Sequence, residues 1–411
     1  MATRVLWVTD EVPDAGRGGG SIRQYHMLKR VAEKVEVDLL LAGELTDTDL
    51  RDRLRKVVAF PRPASHMSSW GTGRVGTARR RIDNLATVLP GRPPSEVVLN
   101  RRVASELRTR LGNTSGYELV QVEHEHLGGL ARSRGRDEAR WAITLHNLLS
   151  VRLRQRAEVS VKPRVRRLWE TDARRATAWE KRIAGNFDVS IVVSEEDARA
   201  LPGRAVVVPN GVDLTRFRAT PLPQKHRMIF SGSFNYEPNI DAATWLCEEI
   251  LPIVRASIPD ATLVLVGREA DERVRRLGHR PGVETHFDVP DVVPLLESAG
   301  VAVVALRQGS GTRLKGLEAM SAGRPVVGTP IGLEGLHLEH GASALIAPTA
   351  DGLARCVVEL FENDETASRL AGAARAIAEG QFGWDGLAEF YLDQVLGAAR
   401  RDVAAGSSSP R

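Results

Sequence analysis

The stretch Ser310-Gly-Thr-Arg-Leu-Lys-Gly-Leu-Glu-Ala-Met-Ser-Ala-Gly-Arg-Pro-Val-Val-Gly-Thr329 decides the fold. It follows an apolar run, 301–306, opens on glycines, and continues with Leu314, Leu317 and Met320 at helical spacing. Gly323 and Pro325 then break it into a second short apolar run. The order predicts strand, glycine turn, helix, strand. A helix that opens on a glycine turn aims unpaired N–H groups and its positive dipole end forward, so 309–312 suits an anion such as phosphate. Arg313 and Lys315 add full charges at the same end. Glu318, one turn further in, suits the vicinal hydroxyls of a sugar better than the phosphate itself. These residues predict a site for a nucleotide with a diphosphate.

The rest of the chain alternates strand and helix in the same way. After 227–230 come helix 240–253, strand 262–266, helix 270–277, strand 283–287, helix 290–298 and strand 301–306, which predicts a parallel sheet with right-handed crossovers. Helices 351–362 and 365–379 follow a last strand at 345–348. In the first half, strands are expected at 5–8, 35–41, 117–122, 141–145 and 189–193. Glycines 16, 18, 19 and 20 lead into a helix 21–34 that Ser21 would cap, with Ile22, Met27, Leu28 and Val31 toward the sheet. Their register does not fit Gly-x-Gly-x-x-Gly, which counts against a dinucleotide oxidoreductase. At 411 residues the chain exceeds one hydrophobic core, and two domains are expected, 1–205 and 206–381. Residues 220–225, with Pro221 and Pro223, read as the seam.

Composition excludes several classes. With 42% hydrophobic and 27% charged residues the chain is that of an ordinary soluble protein, and no apolar run reaches the roughly 18 residues a membrane helix needs. The N-terminus reads as a strand ending in Asp10, without the cleavage site of a signal peptide, so a cytoplasmic location is expected. Cys247 and Cys356 fall in amphipathic helical patterns and are expected in the core. The net charge of +5 is mostly arginine. The Arg- and Pro-rich part, 61–110, includes Arg79-Arg-Arg81 and could rest on an anionic membrane surface. It lacks the interleaved aromatics of a nucleic-acid platform, so no nucleic-acid partner is expected.

Two pairs tempt a metal reading. Asp47-Thr-Asp49 opens a helix expected at 50–57, where acids belong in the first turn. His124-Glu-His126 has no third ligand at a suitable spacing, and two ligands do not make a zinc site. A polar cluster at the end of a strand is the better reading, with Glu123 beside it. His146-Asn147, at the end of the next strand, repeats the pattern.

The run Gly311-Thr-Arg-x-Lys-x-x-Glu-Ala-Met-x-x-Gly-x-Pro-Val-Val, with Thr329-Pro-x-Gly, Glu334-Gly and Pro209-Asn-Gly-Val-Asp213, resembles the donor-binding signature of glycosyltransferase family 4. The resemblance implies a GT-B fold, α/β, with two Rossmann-like doubly wound domains facing across a cleft, and a helix 382–400 that returns to the first domain before a disordered tail, 401–411. It implies retaining, metal-independent transfer from a nucleoside diphosphate sugar to a sugar, lipid-linked or natural-product acceptor, with no cofactor. Family roles carry over to Glu318 on the ribose, to Gly19, Gly20, Gly232, Ser310, Gly311 and Thr312 around the donor, and to Glu123 and His146 near the transferred sugar and acceptor. The chain departs from the pattern in two places. Ser310 stands where a glutamate is usual, and the Arg and Lys expected after the strand at 227–230 are missing near Ser233. Arg313 and Lys315 are the cations placed to substitute. The Ser310 departure also suggests a rival, a nucleotide-binding partner subunit without transferase activity.

Overall fold

The structure, a computed structural model, describes residues 2–16, 18–63, 94–135, 139–158, 160, 162–201, 203–223, 226–308 and 313–397. It divides into two compact units. One runs to Pro209 and takes up the chain again from Asp385, and the other is Asn210–Trp384. The sequence reading set these divisions at 205 and 381.

The first unit contains β1 (Arg4–Thr9), β2 (Glu36–Ala42), β3 (Lys56–Phe60), β4 (Leu119–Glu123), β5 (Arg140–Leu145), β6 (Val189–Val192) and β7 (Ala205–Val207). They pair in the order 3-2-1-4-5-6-7, each pairing parallel. β1 joins the two halves of the sheet, with Val8 opposite Leu40 of β2 on one side and Val122 of β4 on the other. Its residues Val5, Leu6, Trp7 and Val8 are buried, as the continuous apolar run of a strand covered on both faces demands. In the second unit β8 (Arg227–Ser233), β9 (Thr262–Arg268), β10 (Val283–Phe287), β11 (Val301–Val304), β12 (Val326–Gly328) and β13 (Leu345–Ile346) repeat the scheme as 10-9-8-11-12-13. Each sheet has its own core, Leu6, Val8, Val122, Trp141 and Ile143 in the first and Phe230, Leu265, Val303, Leu317 and Met320 in the second.

In both sheets the strand order reverses beside the first strand, between β1 and β4 and between β8 and β11. Crossovers leave in opposite directions there, so the loops beyond the strand ends leave a crevice where ligands bind in this kind of sheet. Those two places carry the candidate residues.

Several local expectations shift. The first helix is Gly19–Val31, so Gly19 and Gly20 form its first turn, and Ser21 does not cap it but donates to the carbonyl of Val12. The helix expected at 50–57 is Thr48–Arg53, followed by β3. β3 lies at the sheet edge with three of its five residues exposed and none buried, so its sequence Lys-Val-Val-Ala-Phe carries no buried-strand signature. The helix expected at 240–253 starts earlier, at Glu237, and passes through a wider π turn, Leu246–Ile250, before ending at Ser257. Cys247 and Cys356 are buried in helices, as expected. The last helix, Trp384–Leu392, packs in the first unit. Its Tyr391 ring lies 5.9 Å from that of Trp7, and its hydroxyl donates to Gln121 Oε1 at 2.9 Å. Among the described residues no helix is long and apolar enough to cross a membrane. Residues 64–93 of the Arg-rich segment and the tail 401–411 lie outside the described residues.

Candidate functional site

In the second unit the helix Leu314–Ser321 begins without a side-chain cap, which leaves its first N–H groups for another acceptor. It ends at Gly323, whose φ of 68° is open to glycine at little cost, and this is the break the sequence announced. Lys315 leans back from the first turn to the end of β8. Its ammonium donates to Asn239 Oδ1 at 2.6 Å and lies 4.2 Å from the centre of the Phe230 ring. A Cβ at Gly232 would stand 3.2 Å from that ammonium and 2.9 Å from the Asn239 amide, so glycine is what lets the loop and the lysine share this space. Burial, with Arg313 close by, pushes the Lys315 pKa down to about 7 against the pull of Glu318.

Glu318 sits on the same face, half-buried, and its carboxylate makes no hydrogen bond among the described residues. Burial pushes its pKa up to about 7, against Arg216, Lys315 and Arg268. Arg313 takes a different direction. Its guanidinium is buried, donating to the Ile331 carbonyl at 3.0 Å and meeting Glu334 at 3.4 Å. At the end of β10, Asp288 stands at φ 55°, where a glycine would be unstrained, and accepts from the Glu269 amide at 3.0 Å. Ser310, Gly311 and Thr312 lie outside the described residues.

In the first unit the ends of β1, β4 and β5 bring together three histidines, each with its own carboxylate. His146 Nε2 is 2.7 Å from Glu123 Oε2, His126 Nε2 is 2.9 Å from Asp10 Oδ2, and His124 Nε2 is 3.0 Å from Glu11 Oε2. The His124 ring is stacked between the other two, with centroids 4.5 Å from His146 and 5.4 Å from His126. Burial opposes charge on His124, but the bond to Glu11 and the carboxylates of Asp10 and Glu123 outweigh it and raise its pKa to about 9. Burial and the charge of His124 push His146 down, against the pull of Glu123. Asp10 is buried, which alone would raise it, yet His126, His124 and Arg62 hold it well below the usual carboxylate range. Glu11 is lowered too, because the bond to His124 outweighs its burial.

Gly20 has its place here. A Cβ on it would meet Glu11 Oε2 at 2.7 Å, so this glycine makes room for that carboxylate. Glu123 is held from behind by Thr144 Oγ1 at 3.2 Å and by the Gln121 amide at 3.1 Å, which itself bonds Tyr391. Asp10, Glu11 and Arg62 line an open pocket of about 260 Å³ together with Val12, Ser21, Ala42 and Gly43.

The structure thus brings Gly232, Lys315 and Glu318 together in one unit, and Gly19, Gly20, Glu123 and His146 in the other. Sequence reasoning missed Asn239, Asp10, Glu11 and the full role of His124 and His126. The signal for Asp10 and Glu11 was an acidic pair at the exit of the first strand. The two pairs weighed as metal ligands make protein contacts. Asp47 accepts from the Leu50 amide at 2.7 Å as a helix cap, Asp49 pairs with Lys29 and Arg53, and each imidazole of the cluster faces a carboxylate.

Two family models match the chain, Glycosyltransferase Family 4 over residues 17–216 and Glycosyl transferases group 1 over 225–363. The chain belongs to glycosyltransferase family 4, of GT-B fold. Within this family it is 27% identical over 254 residues to a phosphatidyl-myo-inositol mannosyltransferase of Mycolicibacterium smegmatis, covering 56% of this chain and 64% of that protein. It is 27% identical over 213 residues to a glycogen synthase of Mycobacterium tuberculosis, covering 48% and 50%. The chain spans between half and two thirds of the length of the mannosyltransferase and glycogen synthase relatives it matches. Solved GT-B structures match it along nearly the whole chain. Sucrose-phosphate synthase from Thermosynechococcus elongatus has a TM-score of 0.66 at 18% identity, covering 98% of this chain and 100% of that one. Anabaena HepE in complex with UDP and glucose has a TM-score of 0.63 at 16% identity, covering 95% and 99%.

Proposed function

We propose that this family 4 member transfers a sugar from a nucleoside diphosphate donor to an acceptor hydroxyl with retention of the anomeric configuration, without a metal ion or a cofactor. The observation that carries the reading is the pairing on one short helix of Lys315, beside Gly232, with Glu318, a half-buried carboxylate left without a protein partner. A ribose offers two hydroxyl donors to such a carboxylate, and a diphosphate offers its charge to the ammonium and the uncapped amides. As the bond from the sugar's anomeric carbon to the phosphate oxygen breaks, negative charge grows on the leaving diphosphate. Groups fixed to meet that charge favour the transition state over the bound substrate. The new bond forms from the anomeric carbon to the acceptor oxygen on the same face. The acceptor proton goes to the leaving phosphate, so no second carboxylate is required.

Acceptor selection falls to the first unit, where Glu123 and His146 face the reaction in this reading. The relatives' names, mannosyltransferase and glycogen synthase, support a hexosyl donor and a polyhydroxylated acceptor, sugar or lipid-linked. We place the protein in the cytoplasm, in peripheral contact with anionic lipid. The helix Pro163–Ala184 supports that contact, with Arg164, Arg167, Arg174, Lys181 and Arg182 exposed.

The test is release of nucleoside diphosphate from uridine, guanosine and adenosine diphosphate sugars against a panel of sugar, lipid-linked and natural-product acceptors, with and without EDTA. Turnover that persists in EDTA, with the product anomer matching the donor, is expected. Full loss in EDTA with rescue by manganese overturns the metal-free reading. Tight donor binding with no turnover on any acceptor would instead make the chain a nucleotide-binding partner subunit.

A further inference from the structure

The cluster in the first unit holds more than the acceptor-side pair His146 and Glu123. Its third partner set, Glu11 and His124, comes from elements that sequence separates by more than a hundred residues. His124 is also held at φ 72°, ψ 138°, a region that a residue with a side chain seldom occupies. Backbone strain of this kind persists only where the surroundings impose it. Here they do so by stacking His124 flat against His146, with the rings inclined by 28°, and by tying its Nε2 to Glu11. Gln24 Nε2 also stands 3.1 Å from that nitrogen, while Gln24 Oε1 is buried and unpaired. The same Gln24 amide nitrogen donates to Glu11 Oε2 at 3.4 Å, so Gln24 braces the carboxylate that faces His124.

We propose that the Glu11–His124 pair is a positioning device that fixes the orientation and protonation of His146 toward the acceptor hydroxyl. The inference rests on the reading that His146 faces the acceptor. A cationic imidazole lying flat on a second imidazole disfavours a second proton there, and the stack fixes the plane in which His146 presents its free nitrogen. His146 Nε2 is taken by Glu123, which leaves Nδ1 to meet a ligand. The other groups around the pair are Asp10 and Glu11 from the loop after β1, Arg23 and Gln24 from the first helix, Glu123 from β4, His126 from the turn after it, and Arg62 against Asp10. Of these, Glu123 and, more weakly, Glu11 itself draw a proton onto His146, and His124 and Arg23 oppose it, with His124 the largest charge among them. Removing the charge on His124 leaves the pull of Glu123 less opposed.

The sign follows. In the wild type His146 stays neutral to a pH below the ordinary histidine value. In Glu11→Gln the anion that keeps His124 charged is gone, so His124 loses its proton at lower pH and His146 gains one at higher pH.

The experiment is a proton NMR titration of the histidine ring signals in the full chain, wild type against Glu11→Gln, with His146→Gln to assign the signal. The His146 midpoint is expected to move upward in Glu11→Gln. If transfer is measurable, the acidic limb of kcat/KM for the acceptor moves up with it, while donor affinity is unchanged. His124→Asn, which tolerates positive φ, should show the same upward shift and guards against a folding defect in the first variant. A His146 midpoint that stays in place in both folded variants overturns the proposal, as does a uniform loss of turnover without a shift of the limb. Should the wild type transfer nothing, the proposed function fails, yet the titration still decides whether Glu11 and His124 govern His146.

Discussion

Lys315 and Glu318 are three residues apart on one helix, and burial moves their pKa values from opposite sides to about 7. A donor that needs an ammonium and a carboxylate must therefore find both ionised in a site where burial disfavours each charge. Below pH 7 Glu318 takes up a proton and loses its grip on hydroxyls, and above pH 7 Lys315 loses its charge. Nucleoside diphosphate affinity should peak near neutrality and fall on both sides, as calorimetry from about pH 6 to pH 8 can check. Glu318→Gln should flatten the acidic side and Lys315→Arg the alkaline side; a profile unchanged in both would show that these groups do not touch the donor. Glu318→Ala should weaken binding by about 2–4 kcal/mol, two charge-assisted hydrogen bonds' worth. Lys315→Ala should lower kcat by roughly 10²- to 10³-fold while donor affinity falls much less, since the diphosphate charge grows in the transition state. Turnover within a factor of about two of wild type would return Lys315 to an ordinary structural lysine. That these two residues share one helix face was legible because a helix fixes what lies three positions apart. Arg313 was not, because it precedes the first helical residue and its direction depends on a backbone angle that no periodicity records. Asp10 and Glu11, with the contact of His126, were hidden for another reason: Asp10 meets His126 across 116 positions of sequence, and Glu11 meets His124 at a similar remove.

At the scale of elements, the turn from helix Leu314–Ser321 into β12 shows how much a short segment can carry. Gly323 reverses the chain, and Arg324 then points inward with no solvent exposure. Its guanidinium donates to the carbonyls of Ala322, Glu297, Ala299, Thr220 and Pro221. The sequence reading treated 220–225 as a linker seam and gave Arg324 no part, since nothing local distinguishes a buried arginine from a solvated one. Arg324→Met keeps the bulk and strands the carbonyls, and should cost about 3–5 kcal/mol in urea denaturation, in line with removing one partner from a buried charged network. A loss below about 1 kcal/mol would mean that water replaces the guanidinium. Strand β3 was missed for a related reason: an edge strand with no buried residue lacks the apolar run by which covered strands are recognised. The inner strands, β1, β2, β9 and β11, were all legible.

Across the whole molecule the same parallel scheme is built twice, and each copy has its own core, so damage to one unit should remain in that unit. The chain completes the first sheet, builds the second, and only then supplies the helix Trp384–Leu392 that finishes the first. Repetition of strand and helix made both sheets legible, whereas the buried route from that helix to the candidate site was not, because it crosses 270 positions of sequence. Tyr391 donates to Gln121 Oε1, the Gln121 amide donates to Thr144 Oγ1 at 2.8 Å and to Glu123 Oε1, and Glu123 holds His146. Tyr391→Phe removes one hydroxyl and leaves a buried amide oxygen unpaired, at about 1–2 kcal/mol. Tyr391→Ala also empties the space beside Trp7 and should cost about 3–5 kcal/mol. Hydrogen exchange should locate that loss in β1, β4 and β5 and leave β8, β9 and β11 as protected as in the wild type. Because Gln121 is then free to turn, Glu123 loses part of its support, so Tyr391→Phe should lower kcat on the acceptor more than its small stability cost suggests. Nucleoside diphosphate affinity, set by Lys315 and Glu318 in the other unit, should stay at the wild-type value. Weakened donor binding in Tyr391→Phe, with exchange raised in β8 and β11, would show instead that the two cores unfold as one and that the closing helix stabilises both.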